Sequence, residues 1–217
     1  MSLVVVIGWS ATAAGALLGV PQLLRLIRTR RLEGLSLLAW CATFAVNVSW
    51  LAHGIHIGQP PQIVTNSIAL CSTLSILVLL ARSLGRPLVR VIAPALAVAG
   101  AIIATDLLIG SLAFGLVAVI PGVFSYLSQG LELVRSERVT GVSAVFLTMA
   151  AVNQTLWLTW ASLIHDPGTL VACTLTLTMT GFNLLWYTLR RIGLRALLVP
   201  AAAPAVAPRR PLALTRG

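Results

Sequence analysis

Long apolar runs cut by short polar breaks are the first pattern along this chain. A helix that crosses a bilayer needs about 20 mostly apolar residues. Seven stretches qualify, at about 4–27, 35–57, 61–82, 88–110, 112–134, 142–164 and 168–190. They take up most of the 217 residues and leave no room for a soluble domain. The pattern predicts an all-α membrane protein with seven transmembrane helices.

The apolar pattern also repeats. Between Pro21 and Ser36 an apolar run ends in Pro-Gln, passes through a basic turn and restarts at Gly34-x-Ser36. Shifted by a constant interval, Gln22 falls on Gln129, Arg28 on Arg135, Gly34 on Gly141 and Ser36 on Ser143. The register persists, with Trp50 on Trp157, Ile57 on Ile164 and Pro60 on Pro167. An internal duplication of a three-helix unit accounts for this, and repeats decide architecture. Three helices are an odd number, so direct fusion would invert the second copy. One extra helix restores the parallel orientation, and span 4, plain in Val, Ala, Ile and Leu, suits that linking role. The expected organisation is therefore 3+1+3. Residues 4–82 form the first repeat, 88–110 the linker helix and 112–190 the second repeat. Residues 196–217 read as a disordered basic tail.

Composition agrees with the membrane reading. The chain is 58% hydrophobic and 9% charged, against roughly 25% charged in soluble domains, and its mean hydropathy is +0.97. A net charge of +10 raises the question of nucleic acid, but placement answers it. All fifteen basic residues are arginine, in alternate loops (Arg25 to Arg31, Arg82 to Arg90, Arg135 and Arg138) and from Arg190 onward. The loops His53–Pro61, Thr105–Ser111 and His165–Gly168 contain none. Under the positive-inside rule the arginine side is cytoplasmic, which puts the N-terminus outside and the C-terminus inside. The charge marks topology in a lipid bilayer, not a nucleic-acid partner. The start, Met1 to Val6, lacks the basic residues of a secretory signal, so the first run is expected to stay as a helix. Cys41, Cys71 and Cys173 fall inside spans without metal-ligand spacing and read as small apolar residues.

Candidate chemistry lies inside the spans. Pro21 removes a backbone donor and would kink the first helix near its inner end; Gln22 beside it can bond freed backbone groups. The plainer reading is a frayed helix end, and the duplication weighs against it. Asn47, Trp50 and Gly54 follow i, i+3, i+7 spacing and share a helix face. A deep Trp50 serves either packing or ligand stacking, since its N–H needs a partner. Asn66, one turn into span 3, faces either another helix or a wet cavity. His53 and His56 could sense pH, although histidines at a wet helix end are commonly just solvated. In the second unit Ser128 stands for Pro21, with Pro121 and Gly122 as a bend two turns earlier. Asn153 and Gln154 lie beside the Asn47 position, Trp157 matches Trp50, and Cys173 and Thr174 take the place of Asn66 and its neighbour. The five acidic residues, Glu33, Asp106, Glu132, Glu137 and Asp166, all lie at loops or span ends. No titratable group is expected in mid-membrane. No Ser/His/Asp, paired-carboxylate or metal-ligand arrangement points to an enzyme, and no metal or cofactor is implied.

At Pro21-Gln22, Gly34-x-Ser36 and Ser49-Trp50-Leu-Ala-His-Gly54 the chain resembles the PQ-loop superfamily and, within it, the SWEET and SemiSWEET sugar transporters. The resemblance covers both three-helix units and is most specific in the first. It implies two parallel three-helix bundles with the substrate between them near mid-membrane. It also implies a sugar site formed by Trp50 and Asn66, with Trp157 as the second tryptophan. Asn47, Asn153, Cys173 and Thr174 would surround it, and Pro21, Gln22, Gln129 and Pro121 would serve as hinges. The chain departs from the family where Cys173 replaces the second asparagine. It also lacks the prolines of the second and sixth helices, around Leu38 and Val145. Indoles that stack on a sugar ring and amides that pair with hydroxyls agree with a neutral polyol, moved by facilitated diffusion. Rival expectations are a proton-coupled amino-acid or other solute transporter, and a receptor or scaffold on the same fold. The all-arginine, alanine-rich composition suggests a GC-rich bacterial gene and a bacterial cell membrane. Pairing of two chains into a homo-oligomer is left open.

Overall fold

The computed structural model describes residues 2–29, 35–136, 143–195 and 197, with backbone alone at 19–22, 25–27 and 29. Among them eight helices follow one another: α1 (Leu3–Thr29), α2 (Leu37–His56), α3 (Pro60–Ser83), α4 (Leu88–Leu108), α5 (Ser111–Ala118), α6 (Ile120–Arg135), α7 (Ala144–Ile164) and α8 (Pro167–Arg191). There is no strand among the described residues. The expected tail, residues 196–217, lies outside them apart from 197.

Helix ends follow local chemistry. Ser36 and Ser143, equivalent in the repeat, cap α2 and α7 by accepting the amides of Ala39 and Phe146, each at 3.3 Å. An N-cap hydroxyl satisfies one of the orphan donors of the first turn. Prolines open α3 and α8 at the first helical position, where the missing N–H costs nothing. Between α5 and α6 the helix breaks only at Val119, whose backbone stays in the α region. Pro121 follows two residues later and has no N–H to give to the carbonyl of Val117. Together α5 and α6 make one apolar span.

Among the described residues five spans are long and apolar enough to cross a membrane: α2, α3, α4, α5 with α6, and α8. In α1 the apolar stretch is Leu3–Leu18. α7 has the length, 21 residues, but Asn153, Gln154 and its threonines make it less apolar. The architecture is that of a helical membrane protein.

Both α1 and α2 pack on α3, and both α6 and α7 pack on α8, which α5 also joins. Across the molecule α1 lies directly on α7, whereas α4 lies against α2 and α5. Phe44, Ala45, Leu77 and Ala81 meet Val91, Ala95 and Ala99 in the α2–α3–α4 core. Ala11, Trp157, Trp160 and Cys173 form a second core from α1, α7 and α8. Where α5 crosses α8, the backbones touch: a Cβ on Gly115 would overlap the carbonyl group of Gly168. Small residues permit such approaches between membrane helices. His53, Asp106 and Asp166 meet in space, so the breaks after α2, α4 and α7 share one end of the molecule, and none of these breaks contains an arginine.

Candidate functional site

A cavity of about 300 Å³ opens among α2, α3, α5, α6, α7 and α8. Much of its lining comes in pairs of residues 107 positions apart in the sequence. Val46 and Asn153, Trp50 and Trp157, Gln62 and Thr169, Asn66 and Cys173 all border it. One pair touches, since the Gln62 amide N–H points at the Thr169 hydroxyl, 3.5 Å away across 107 residues of sequence. None of the lining residues is charged. Asn66 donates to the carbonyl of Gln62 at 2.8 Å and Asn153 to that of Ala11 at 2.8 Å. Each amide therefore has its N–H₂ engaged with backbone, and its oxygen remains as an acceptor. Gln62 is 3% exposed, and its Oε1 has no hydrogen-bond partner among the described residues.

Trp50 carries the cavity wall towards the arginine-free end. Its indole meets Phe114 edge-on, with ring centroids 4.8 Å apart. Phe114 in turn stacks on His53 at 4.5 Å. His53 is 1% exposed. Its Nδ1 lies 2.7 Å from Oδ2 of Asp106 on α4, and its Nε2 3.2 Å from Oδ2 of Asp166. Asp166 is the N-cap of α8: it accepts the amides of Gly168 and Thr169 and the Ser111 hydroxyl at 2.5 Å. Burial alone would raise the Asp166 carboxyl. The donors His53, Ser111 and Thr169 outweigh it and hold the group well below the ordinary carboxylate range.

This cluster corrects one expectation. His53 is not a solvated histidine at a wet helix end; of it and His56, only His56 is exposed. Asp106 and Asp166 lie at helix ends, and each is buried around His53, 6% exposed. The available signal was that Trp50 and His53, three apart on α2, share a face. The Asp166-Pro167 pair also has the form of a capped helix start.

Of the remaining candidates, Trp50, Asn66, Trp157, Cys173 and Asn153 border the one cavity. Asn47 borders a separate cavity of about 240 Å³ with Trp40 and Thr73, and donates to Thr73 Oγ1 at 3.1 Å. Thr174 is exposed, its hydroxyl returned to the carbonyl of Leu170; Thr176 borders the cavity instead. Gln129 accepts from Asn183 at 3.1 Å, which ties α6 to α8, and Pro121 sits in the first turn of α6. The helix α1 runs through Pro21 and Gln22, whose side chains lie outside the described set. Among the described residues no three His, Cys, Asp or Glu side chains are grouped to hold a metal ion.

The family model for the PQ loop repeat matches residues 3–63, that is α1, α2 and the first turn of α3. The match supports a place in the PQ-loop superfamily of membrane proteins. No curated protein matches the chain.

Proposed function

We propose that this chain is a PQ-loop transporter of the SWEET type, carrying a small neutral sugar through the cavity between two parallel three-helix units. The units are α1–α3 and α5–α8, joined by α4, and the arginine-bearing end faces the cytoplasm. One observation carries the reading: an uncharged cavity is lined by repeat-related pairs, two indoles among them. Pairs from equivalent positions meet only around an axis that relates the copies, and membrane transporters with such repeats bind their solutes at that interface. A cavity of about 300 Å³ is at the small end of the range for small-molecule sites. Indole faces cover the C–H surface of a pyranose, and the amide oxygens of Asn66, Asn153 and Gln62 accept from its hydroxyls. A charged solute would need a counter-charge in the lining, and there is none. Net movement follows the sugar gradient as one unit rocks against the other.

Counterflow of radiolabelled glucose and sucrose in proteoliposomes tests this. Wild type should exchange at least one of the two, and Trp50→Ala and Asn66→Ala should each lower exchange at least tenfold, about 1.4 kcal/mol of lost binding. A proton ionophore should leave the exchange unchanged. Exchange of amino acids with no sugar flux would replace this reading with the amino-acid one.

A further inference from the structure

We infer that His53, Asp106 and Asp166 form a proton-binding latch that holds the arginine-free end shut. The inference rests on the reading that this end opens and closes during transport. Proton counting leads to it. Each ring nitrogen of His53 has a carboxylate oxygen within hydrogen-bond distance, at 2.7 and 3.2 Å. A neutral imidazole has one N–H, and an ionised carboxylate has none. Making both contacts therefore takes two protons shared among the three groups, whether as imidazolium between two carboxylates or as imidazole with one carboxylic acid. Either way the trio keeps one net negative charge. With one proton fewer, a nitrogen lone pair faces a carboxylate oxygen, and one arm of the latch becomes repulsive.

The two arms join different parts of the molecule. Asp106 belongs to α4, which packs on α2, so that contact stays within one side. Asp166 begins α8, so the Nε2 contact crosses to the other side. The titratable groups facing His53 are Asp106 from α4 and Asp166 from the α7–α8 turn, with the Cys173 thiol of α8 beyond, within reach of the Asp166 charge. The described neighbours from α3 and α5, Gln62, Ser111 and Phe114, are uncharged. The latch also connects to the cavity: Trp50 lies edge-on to His53 at 5.6 Å, and Asp166 holds Thr169, the partner of Gln62. At the related seam the equivalent positions are Trp160 on α7 and Gln59 before α3, and Trp160 is fully buried in an apolar cluster. Among the described residues, ionisable groups of this kind stand at one of the two seams.

The proton involved exchanges with the compartment at the arginine-free end when the latch opens, and the closed latch buries it again. It therefore favours the closed form without being carried across. By linkage, one proton changes the closed-to-open ratio by up to about tenfold per pH unit.

The test is pulsed electron spin resonance on the full chain in lipid nanodiscs. Spin labels go on cysteines placed at Ile55 and Ser162, with Cys41, Cys71 and Cys173 changed to alanine. Between pH 8.5 and pH 5.5 the distance distribution should pass from a longer to a shorter population. Asp106→Asn lets a neutral His53 accept from the new amide while donating to Asp166, so this variant should stay in the short population at both pH values. His53→Gln, which has no titrating ring, should also lose the pH response. A distribution that ignores pH in the labelled parent overturns the proposal, as does a response that survives in Asp106→Asn. Loss of sugar exchange with the pH response intact would overturn the sugar reading and leave the latch standing.

Discussion

Gly115 and His53 show how differently single residues can be fixed in the same bundle. At Gly115 the constraint is volume. A methyl group would strike the backbone of Gly168, which cannot turn aside, so Gly115→Ala should lower stability by about 1–3 kcal/mol through overpacking. Gly181 has nothing within reach of an added Cβ, and Gly181→Ala should be neutral or slightly stabilising. Thermal unfolding of the two variants in detergent separates these outcomes. At His53 the constraint is electrostatic. Removing one partner of a buried ionic group leaves the others uncompensated, at a cost of about 3–5 kcal/mol. His53→Ala should therefore unfold far more easily than His56→Ala, because His56 is exposed. Equal losses would mean that burial of His53 contributes nothing.

At the scale of elements, α8 depends on its first residue. Asp166 caps the helix and receives His53 and Ser111, and these donors hold its carboxyl below the ordinary range. A depressed folded value means that the ionised form favours the folded state. That stability is fully present above the ordinary carboxyl value of about 3.9 and is lost as pH falls towards the folded value. The unfolding temperature should accordingly be flat with pH near neutrality, with the Asp166 contribution fully present, and fall in strong acid. Asp166→Asn, which still caps but cannot ionise, should lose that acid-side slope; an unchanged slope would assign it to other groups. Much of this architecture was legible because helices repeat at fixed spacing. The register that paired Trp50 with Trp157 also aligned Ser36 with Ser143, and these prove to be matching caps. Trp50, Asn66 and Trp157, named from the family resemblance, and Cys173 and Asn153, named from the register, all border the cavity. Asp106 and Asp166 could not be named, since sequence spacing does not say which helix ends meet. Asn47 and Thr174 were placed by position along a helix, and a rotation of about 100° per residue turned one to another cavity and the other outward.

For the molecule as a whole, the seams between the two sides differ. On one, α1 rests directly on α7 through alanine, tryptophan and aliphatic contacts. On the other, α4 stands between α2 and α5 and brings Asp106 with it. In the proposed 3+1+3 arrangement, α4 is a spacer that restores orientation. A complex of two identical copies of the first three helices would contain the tryptophan of the cavity twice, but not the acid trio. It would set His53 opposite Gln59, with no Asp106 at all. On the proposed duplication, sensitivity to acid would thus be a property that neither half inherited from its parent unit. It would enter with Asp106 of the joining segment and Asp166 at the start of α8, and the fusion would have added a means of control as well as a second set of walls.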